Sequence, residues 1–408
     1  MGGPVHRLQA ERHRWVSHPL APRVLVLVND SWGVGDAPDA ASYGDEGSNT
    51  LGNTARAVGG LHAPNLGSLG LGNLTDIQGI EPRAEVGTAH GRATERSAGK
   101  DTTTGHWEMM GIRLDVPFPL YPNGFPPEVI EIFEAEVGRR VLGNRAASGT
   151  EIIEELGEEH IRTGRPIVYT SGDSVFQVAC HEDVVALETL YEWCLIARRL
   201  LDGPHRVGRV IARPFEGSPG HFVRSPHRRD YSVPPPGPTA LDRIHGAGVP
   251  VRAVGKINDI FCGQGIDEYV YSESNGHGVD LTIGFLGRPG PQFVFTNLVD
   301  FDSKYGHRND PRGYADAIEA FDERLPDIVD ALEGGVLLIT GDHGCDPTSE
   351  STDHTRERTP LLVAGLVGGP FEVGTRNFFG DLGHTVCELL GVDAGGIEGA
   401  SFAGRMGF

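Results

Sequence analysis

Apolar residues along the chain fall into two alternating patterns. Short, nearly continuous runs rich in Val, Ile and Leu occur at 23–30 (RVLVLVND), 166–170 (PIVYT), 208–215 (GRVIARPF) and 250–256 (PVRAVGK). Three more follow at 293–301 (FVFTNLVDF), 336–344 (VLLITGDHG) and 360–365 (PLLVAG), and each run ends in polar residues or glycine. Such runs predict strands covered on both faces. Between them, apolar residues recur at helical spacing over 126–140, 182–200, 313–333 and 379–391. The alternation predicts an α/β protein with a mostly parallel sheet flanked by helices.

Length adds an internal boundary to this picture. A chain of 408 residues exceeds one ordinary core, which points to two domains or to one domain with a large insertion. The stretch SPGHFVRSPHRRDYSVPPPGPTA (218–240) is proline-rich and basic, and its VPPPGP reads as a hinge or linker. If it closes an insertion, the core is discontinuous and built from both ends of the chain. Residues 1–22 lack the apolar segment of a secretory signal and are expected to form a polar, flexible extension. No apolar run approaches the ~20 residues that span a bilayer.

Charge and cysteines narrow the partners. With 56 acidic against 35 basic residues, the net charge of −21 repels nucleic acid and anionic membranes. An anionic small molecule stays open, because a local basic pocket or a bound cation overrides the field at short range. The five cysteines are scattered, odd in number and form no C-x-x-C pair, as expected of free thiols in a reducing cytoplasm. Nothing in the chain points to a protein partner.

The polar residues at the strand ends carry the chemistry. Asp30 ends the first run, Asp302 and His307 follow the run at 293–301, Asp342 and His343 end the run at 336–344, and His354 comes eleven residues later. A single such residue is usually a helix cap or a satisfied polar group. Six of them at strand carboxyl ends, where α/β sheets place their sites, predict a cluster. Carboxylates and imidazoles without cysteine suit Mn²⁺, Zn²⁺ or Fe²⁺, and six ligands suit two ions that clamp a phosphoryl displacement. Such a pair needs a nucleophile, and a hydroxyl next to a divalent cation becomes one. The stretch GKDTTTGHWE (99–108) offers three threonines, among which spacing does not choose; Lys100 adds positive charge and a Gly-bounded loop leading into a helix could offer N–H groups to phosphate.

From about residue 23 onwards the chain resembles the phosphopentomutases of the alkaline phosphatase superfamily. The resemblance rests on DSWGVGDAPDA (30–40), GKDTTTGHWEMMG (99–111), PFPLYPNGFP (117–126), ASGTEII (147–153), YTSGDS (169–174), GRVIARPF (208–215), NLVDFDSKYGHRNDPRGY (297–314) and DHGCDP with TDHTRERTPLL (342–362). It implies an alkaline-phosphatase-like core of residues 23–116 and 234–408, with an inserted smaller α/β cap domain at 117–233. It also selects Thr102 as the nucleophile that becomes phosphothreonine. Asp302, His307 and His354 would then hold one metal and Asp30, Asp342 and His343 the other, with Mn²⁺ the family's expected ion. Ser171, Asp173, Arg209 and Lys256 would contact the sugar phosphate.

The implied reaction is the reversible interconversion of ribose 1-phosphate and ribose 5-phosphate, or of their 2-deoxy forms, through a pentose 1,5-bisphosphate. Glucose 1,6-bisphosphate or the pentose 1,5-bisphosphate would prime the enzyme. A metal-dependent phosphomonoesterase or a non-catalytic sugar-phosphate-binding relative are the alternatives. The chain departs from the family pattern at Asn29, Asn49, Asn53 and Cys345, and around the arginines of HFVRSPHRRDY (221–231); these changes bear on metal preference more than on the reaction class.

Overall fold

The computed structural model describes residues 22–171, 174–365 and 370–406. The expected N-terminal extension therefore lies, apart from its last residue, outside the described residues, and so does Asp173. All seven apolar runs form strands. Five of them join an eight-stranded sheet in the order Glu268–Val270, Val251–Val254, Gln292–Leu298, Arg23–Asn29, Val336–Thr340, Thr359–Gly365, Ala89–Ala93, Phe371–Arg376. The first five strands in that order run parallel; only the two pairings of Thr359–Gly365 are antiparallel. The mostly parallel α/β architecture is thus observed.

Burial explains why the central runs are continuous rather than alternating. In Arg23–Asn29, Val24, Val26 and Val28 pack into one apolar layer while Leu25 and Leu27 pack into the other, all fully buried. Burying each such side chain is worth about 1.5–3 kcal/mol, so both faces of the strand must be apolar. The helix Pro311–Ala331 covers one face, and Asp381–Leu389 the other.

The other two predicted strands belong to a second, six-stranded sheet built between Leu142 and Ser232. Its order is Leu142–Ala146, Ile167–Thr170, Val175–His181, Arg209–Glu216, Val223–Arg224, with Arg229–Ser232 also pairing Arg209–Glu216. This sheet has apolar clusters of its own. Phe176, Val178 and Val210 pack against the helices Pro127–Val137 and Leu187–Leu200, and Tyr169, Ala179 and Phe215 against Gly149–Thr163.

The eight-stranded sheet adds three strands to those the apolar runs predict: Glu268–Val270, Ala89–Ala93 and Phe371–Arg376. Ala89–Ala93 (AHGRA) has no apolar run, yet it pairs with Thr359–Gly365 on one side and Phe371–Arg376 on the other. A Cβ on Gly91 would sit 2.4 Å from the Gly374 carbonyl, so close backbone approach selects that residue. None of the five cysteines forms a disulfide. Among the described residues no helix is long and apolar enough to cross a membrane.

Candidate active site

Parallel strands deliver their carboxyl ends to one edge of the sheet, and four neighbouring strands do so here. Asp30 follows Arg23–Asn29, Asp342 and His343 follow Val336–Thr340, Lys256 follows Val251–Val254, and Asp302 lies just beyond Gln292–Leu298. Asp302 sits in a π-helical turn, Phe301–Tyr305, a widened turn that aims its carboxylate back at the sheet edge. Ser31 has φ +72°, an uncommon conformation for a residue with a side chain. This turns its N–H onto Asp342 Oδ1 at 3.0 Å, while its Oγ meets the Tyr314 hydroxyl at 3.0 Å.

The six acids and histidines come together in two adjoining clusters. In the first, His307 Nε2 lies 3.3 Å from Asp302 Oδ2 and 3.1 Å from His354 Nε2, which is 3.4 Å from Asp302 Oδ1. In the second, His343 Nε2 lies 3.3 Å from Asp342 Oδ2 and 3.6 Å from Asp30 Oδ1. The His343 and His354 rings stack at 3.8 Å, which joins the clusters. His354 reaches this place because Gly344 and Thr355 pair across a bridge that folds the loop back on itself.

These sites fit metal ions. Donor atoms sharing a cation with bonds of about 2.0–2.2 Å are separated by roughly 3.0–3.5 Å, the spacing seen here. Asp30 Oδ1, Asp302 Oδ1 and Asp342 Oδ2 are buried and have no hydrogen-bond partner, which is costly unless a cation takes them. Burial, and after it the Asp342 carboxylate, pushes Asp30 up to about 6. At Asp302 and Asp342 burial also opposes ionisation, but the adjacent imidazoles outweigh it and hold both below the usual carboxylate range. Against burial, Asp342 in turn raises His343 and Asp302 raises His307. The six predicted ligands offer hard oxygen and imidazole nitrogen, suited to Mn²⁺ or Zn²⁺, with the Cys345 thiol close to Asp302 and His307.

The three threonines separate by environment. The stretch is a helix, Thr102–Met109, rather than only a loop leading into one, and Asp101 caps it by accepting from Thr104 N at 3.1 Å. The buried Thr104 is held by that same cap, its hydroxyl donating to Asp101 Oδ2. Thr103 lines the cavity described below. Thr102, at the first helical position, places Oγ1 3.1 Å from His343 Nε2.

Gly105 makes this approach possible, since a Cβ there would sit 2.3 Å from the Asp342 carbonyl oxygen. Gly105→Ala is therefore expected to push the helix off the metal cluster and lower turnover by about 100-fold, the penalty of a misplacement near 1 Å. Steady-state kinetics at saturating metal would test this; unchanged turnover would show that the close approach is dispensable.

Several residues escaped the sequence reading. His106, one helical turn beyond Thr102, is fully buried; its Nδ1 donates to the Thr102 carbonyl at 2.9 Å and lies 3.2 Å from Asp342 Oδ2. Asn297 donates to Asp30 Oδ2 at 3.2 Å. Arg356, buried, ties the loop before Thr102 in place, donating to the Gly99 carbonyl at 2.7 Å and to Glu95 at 2.8 Å. The i,i+4 spacing of Thr102 and His106 was a signal available in the sequence; Asn297 and Arg356 act only through the fold. Of the departures, Asn49 caps the helix Thr50–Val58, Asn53 donates to Asp346, and Cys345 lies within ligating range of Asp302 and His307.

A cavity of about 1820 Å³ opens over the site and extends to the second sheet. Thr102, Asp302, His307 and His354 line one end; Ser171, Arg209 and Lys256 also line it. Lys256 Nζ stands 3.7 Å from Asp30 Oδ2, and Arg209 Nη1 3.5 Å from Asp230 Oδ2. The expected contact through Asp173 falls outside the described residues.

A sequence profile of the metalloenzyme superfamily matches residues 22–394. A phosphopentomutase of Kosmotoga olearia is 57% identical over 374 residues, covering 91% of this chain and 96% of that one. One of Anaeromyxobacter dehalogenans is 59% identical over 372 residues, covering 91% and 95%, and one of Desulfitobacterium hafniense is 52% identical over 386 residues, covering 94% and 99%. With a buried carboxylate–imidazole cluster at the sheet edge and identity of this extent, the chain belongs to the phosphopentomutases, isomerases of the metalloenzyme superfamily.

Proposed function

We propose that the protein interconverts ribose 1-phosphate and ribose 5-phosphate, and the 2-deoxy forms, through a phosphothreonine at Thr102 and a pentose 1,5-bisphosphate. The observation that supports this most is the placement of one hydroxyl, Thr102 Oγ1, 3.1 Å from His343 Nε2 at the start of a helix. That position offers unpaired N–H groups and the positive end of the helix dipole to an attached phosphoryl group. Asp302, His307 and His354 would hold one divalent ion and Asp30, Asp342 and His343 the other, with Mn²⁺ the expected metal. When bound, the ions supply charge neutralisation for the transferring group and favour the ionised hydroxyl.

The chain's own residues do the rest. The bond between phosphorus and Thr102 Oγ1 breaks as one to the C1 or C5 oxygen forms, and the reverse step at the other end returns phosphate to Thr102. Lys256 and Arg209 neutralise and orient the sugar phosphate. Ser171 and Asp173 would take sugar hydroxyls. Residues 117–233 act as a cap that keeps water from the phosphothreonine, which separates a mutase from a hydrolase. The partners are small sugar phosphates, and the working compartment is the cytoplasm.

Ribose 5-phosphate given to Mn²⁺-loaded protein primed with glucose 1,6-bisphosphate is expected to yield ribose 1-phosphate. Free ribose and inorganic phosphate as the main products would instead identify a phosphomonoesterase. Rapid turnover by dephosphorylated protein without a primer would count against the phosphothreonine cycle.

A further inference from the structure

The six ligands expected from the sequence contain no cysteine, yet one thiol stands among them. Cys345 is buried, two residues beyond His343, and its Sγ groups with a carboxylate oxygen of Asp302 and a ring nitrogen of His307. These donor atoms all lie within 4.8 Å of one another. A sulfur ligand stands further from its ion, at about 2.3 Å against about 2.0–2.2 Å for nitrogen or oxygen, which widens the spread such a group shows. Among the described residues, none of the other four cysteines belongs to a cluster of potential ligands.

The fold holds this thiol in place. Cys345 N donates to Thr50 Oγ1 at 3.1 Å, and the preceding Gly344 pairs with Thr355 through both backbone groups, its N at 3.1 Å and its O at 2.8 Å. Against the sulfur lies the turn that carries His307. A Cβ on Gly306 would sit 2.9 Å from Cys345 Sγ, so the missing side chain lets that turn close on it. Sγ itself reaches the Asp353 carbonyl oxygen at 3.7 Å, the long contact of a weak donor. Asp302 Oδ1, buried in the same group, has no hydrogen-bond partner, which favours a cation at this place over a hydrogen-bonded network.

The geometry points to Cys345 as a fourth ligand of the ion held by Asp302, His307 and His354, one that turns this site toward Zn²⁺ or Co²⁺ relative to Mn²⁺. Two nitrogens, one oxygen and one sulfur make a four-donor set of the kind Zn²⁺ takes, and thiolate is the softest of these donors. As the S–metal bond forms, the S–H bond breaks and its proton leaves to solvent. Asp30, Asp342 and His343 supply three donors, so the ion beside Thr102 keeps a position open for phosphate. The inference rests on the proposed two-ion site and adds a difference between the ions, which gives a task to one of the chain's departures from the family pattern.

Full-length protein stripped of metal and reloaded with Co²⁺ tests it by near-ultraviolet absorption, where a thiolate bound to cobalt adds a charge-transfer band. An ion on Glu182, Glu216 and His227, a largely exposed cluster, adds none, because that cluster has no thiol. The band is expected in the parent and in Cys262→Ser, which alters the exposed cysteine, and should vanish in Cys345→Ser. Cys345→Ala keeps the test open should a serine hydroxyl disturb folding at this buried position. Competition dialysis should find Zn²⁺ bound at least about 10-fold more weakly in both Cys345 variants, since losing a group that merely supports a ligand already costs that much, with Mn²⁺ little changed. Two Co²⁺ bound per chain without the band, or a band that persists in both Cys345 variants, overturns the inference. So does an equal loss of Zn²⁺ and Mn²⁺ affinity. A Cys345-dependent band in protein that forms no ribose 1-phosphate would sink the mutase reading and support this one; mutase activity with two bound Co²⁺ and no band would do the reverse.

Discussion

Thr102→Ala is expected to abolish phosphate transfer, with turnover falling by at least about 10⁴-fold, because removal of a covalent nucleophile leaves no alternative route through the enzyme. Thr103 does not replace it. The hydroxyl that meets His343 Nε2 at 3.1 Å is that of the first helical residue, and Thr104 is tied to the Asp101 cap. The variant should bind metal as the parent does, since the six carboxylate and imidazole groups stay in place, and mass spectrometry after exposure to glucose 1,6-bisphosphate should find no phosphothreonine. Parent-like mutase activity, or phosphate on another residue, would remove Thr102 from the mechanism.

Asp342→Asn should have the next largest effect. Asp342 Oδ1 accepts from Ser31 N at 3.0 Å, and the amide oxygen of asparagine can keep that bond. Oδ2 faces His343 Nε2 at 3.3 Å and His106 Nδ1 at 3.2 Å, and an NH₂ group there replaces the ligand atom with a donor. Metal content measured by elemental analysis is expected to fall from two ions to one, with turnover reduced by about 10³-fold or more. The thermal stabilisation given by added Mn²⁺ should shrink accordingly; at 100 times Kd one site contributes about 2.7 kcal/mol. Two ions retained at parent affinity would mean that Asp342 is not a ligand.

The strand runs were legible because burial on both faces leaves a near-continuous apolar run of strand length, rich in Val and Ile and bounded by polar residues or glycine. Arg23–Asn29 and Val336–Thr340 are the clearest cases. Ala89–Ala93 left no trace, since its place in the sheet depends on backbone pairing with Phe371–Arg376 and on the absence of a side chain at Gly91. The helix Thr102–Met109 was legible only as a helix following a loop, and its start at Thr102 was missed for a related reason. Three threonines and a glycine are weak helix formers, and the element is held by its Asp101 cap and by packing rather than by propensity.

By itself, the sequence determined the α/β class, five of the eight strands of the main sheet and the set of six potential metal ligands, because each is written as residue type at a local spacing. The tertiary structure decided which atoms meet. His354 joins Asp302 and His307 through a loop that doubles back, Ser31 turns its N–H onto Asp342 through a left-handed backbone, and Gly105 admits Thr102 to His343. Contacts between residues 241 to 311 positions apart depend on sheet order and on the few ångströms left between packed backbones. Neither quantity is encoded in any short stretch of chain.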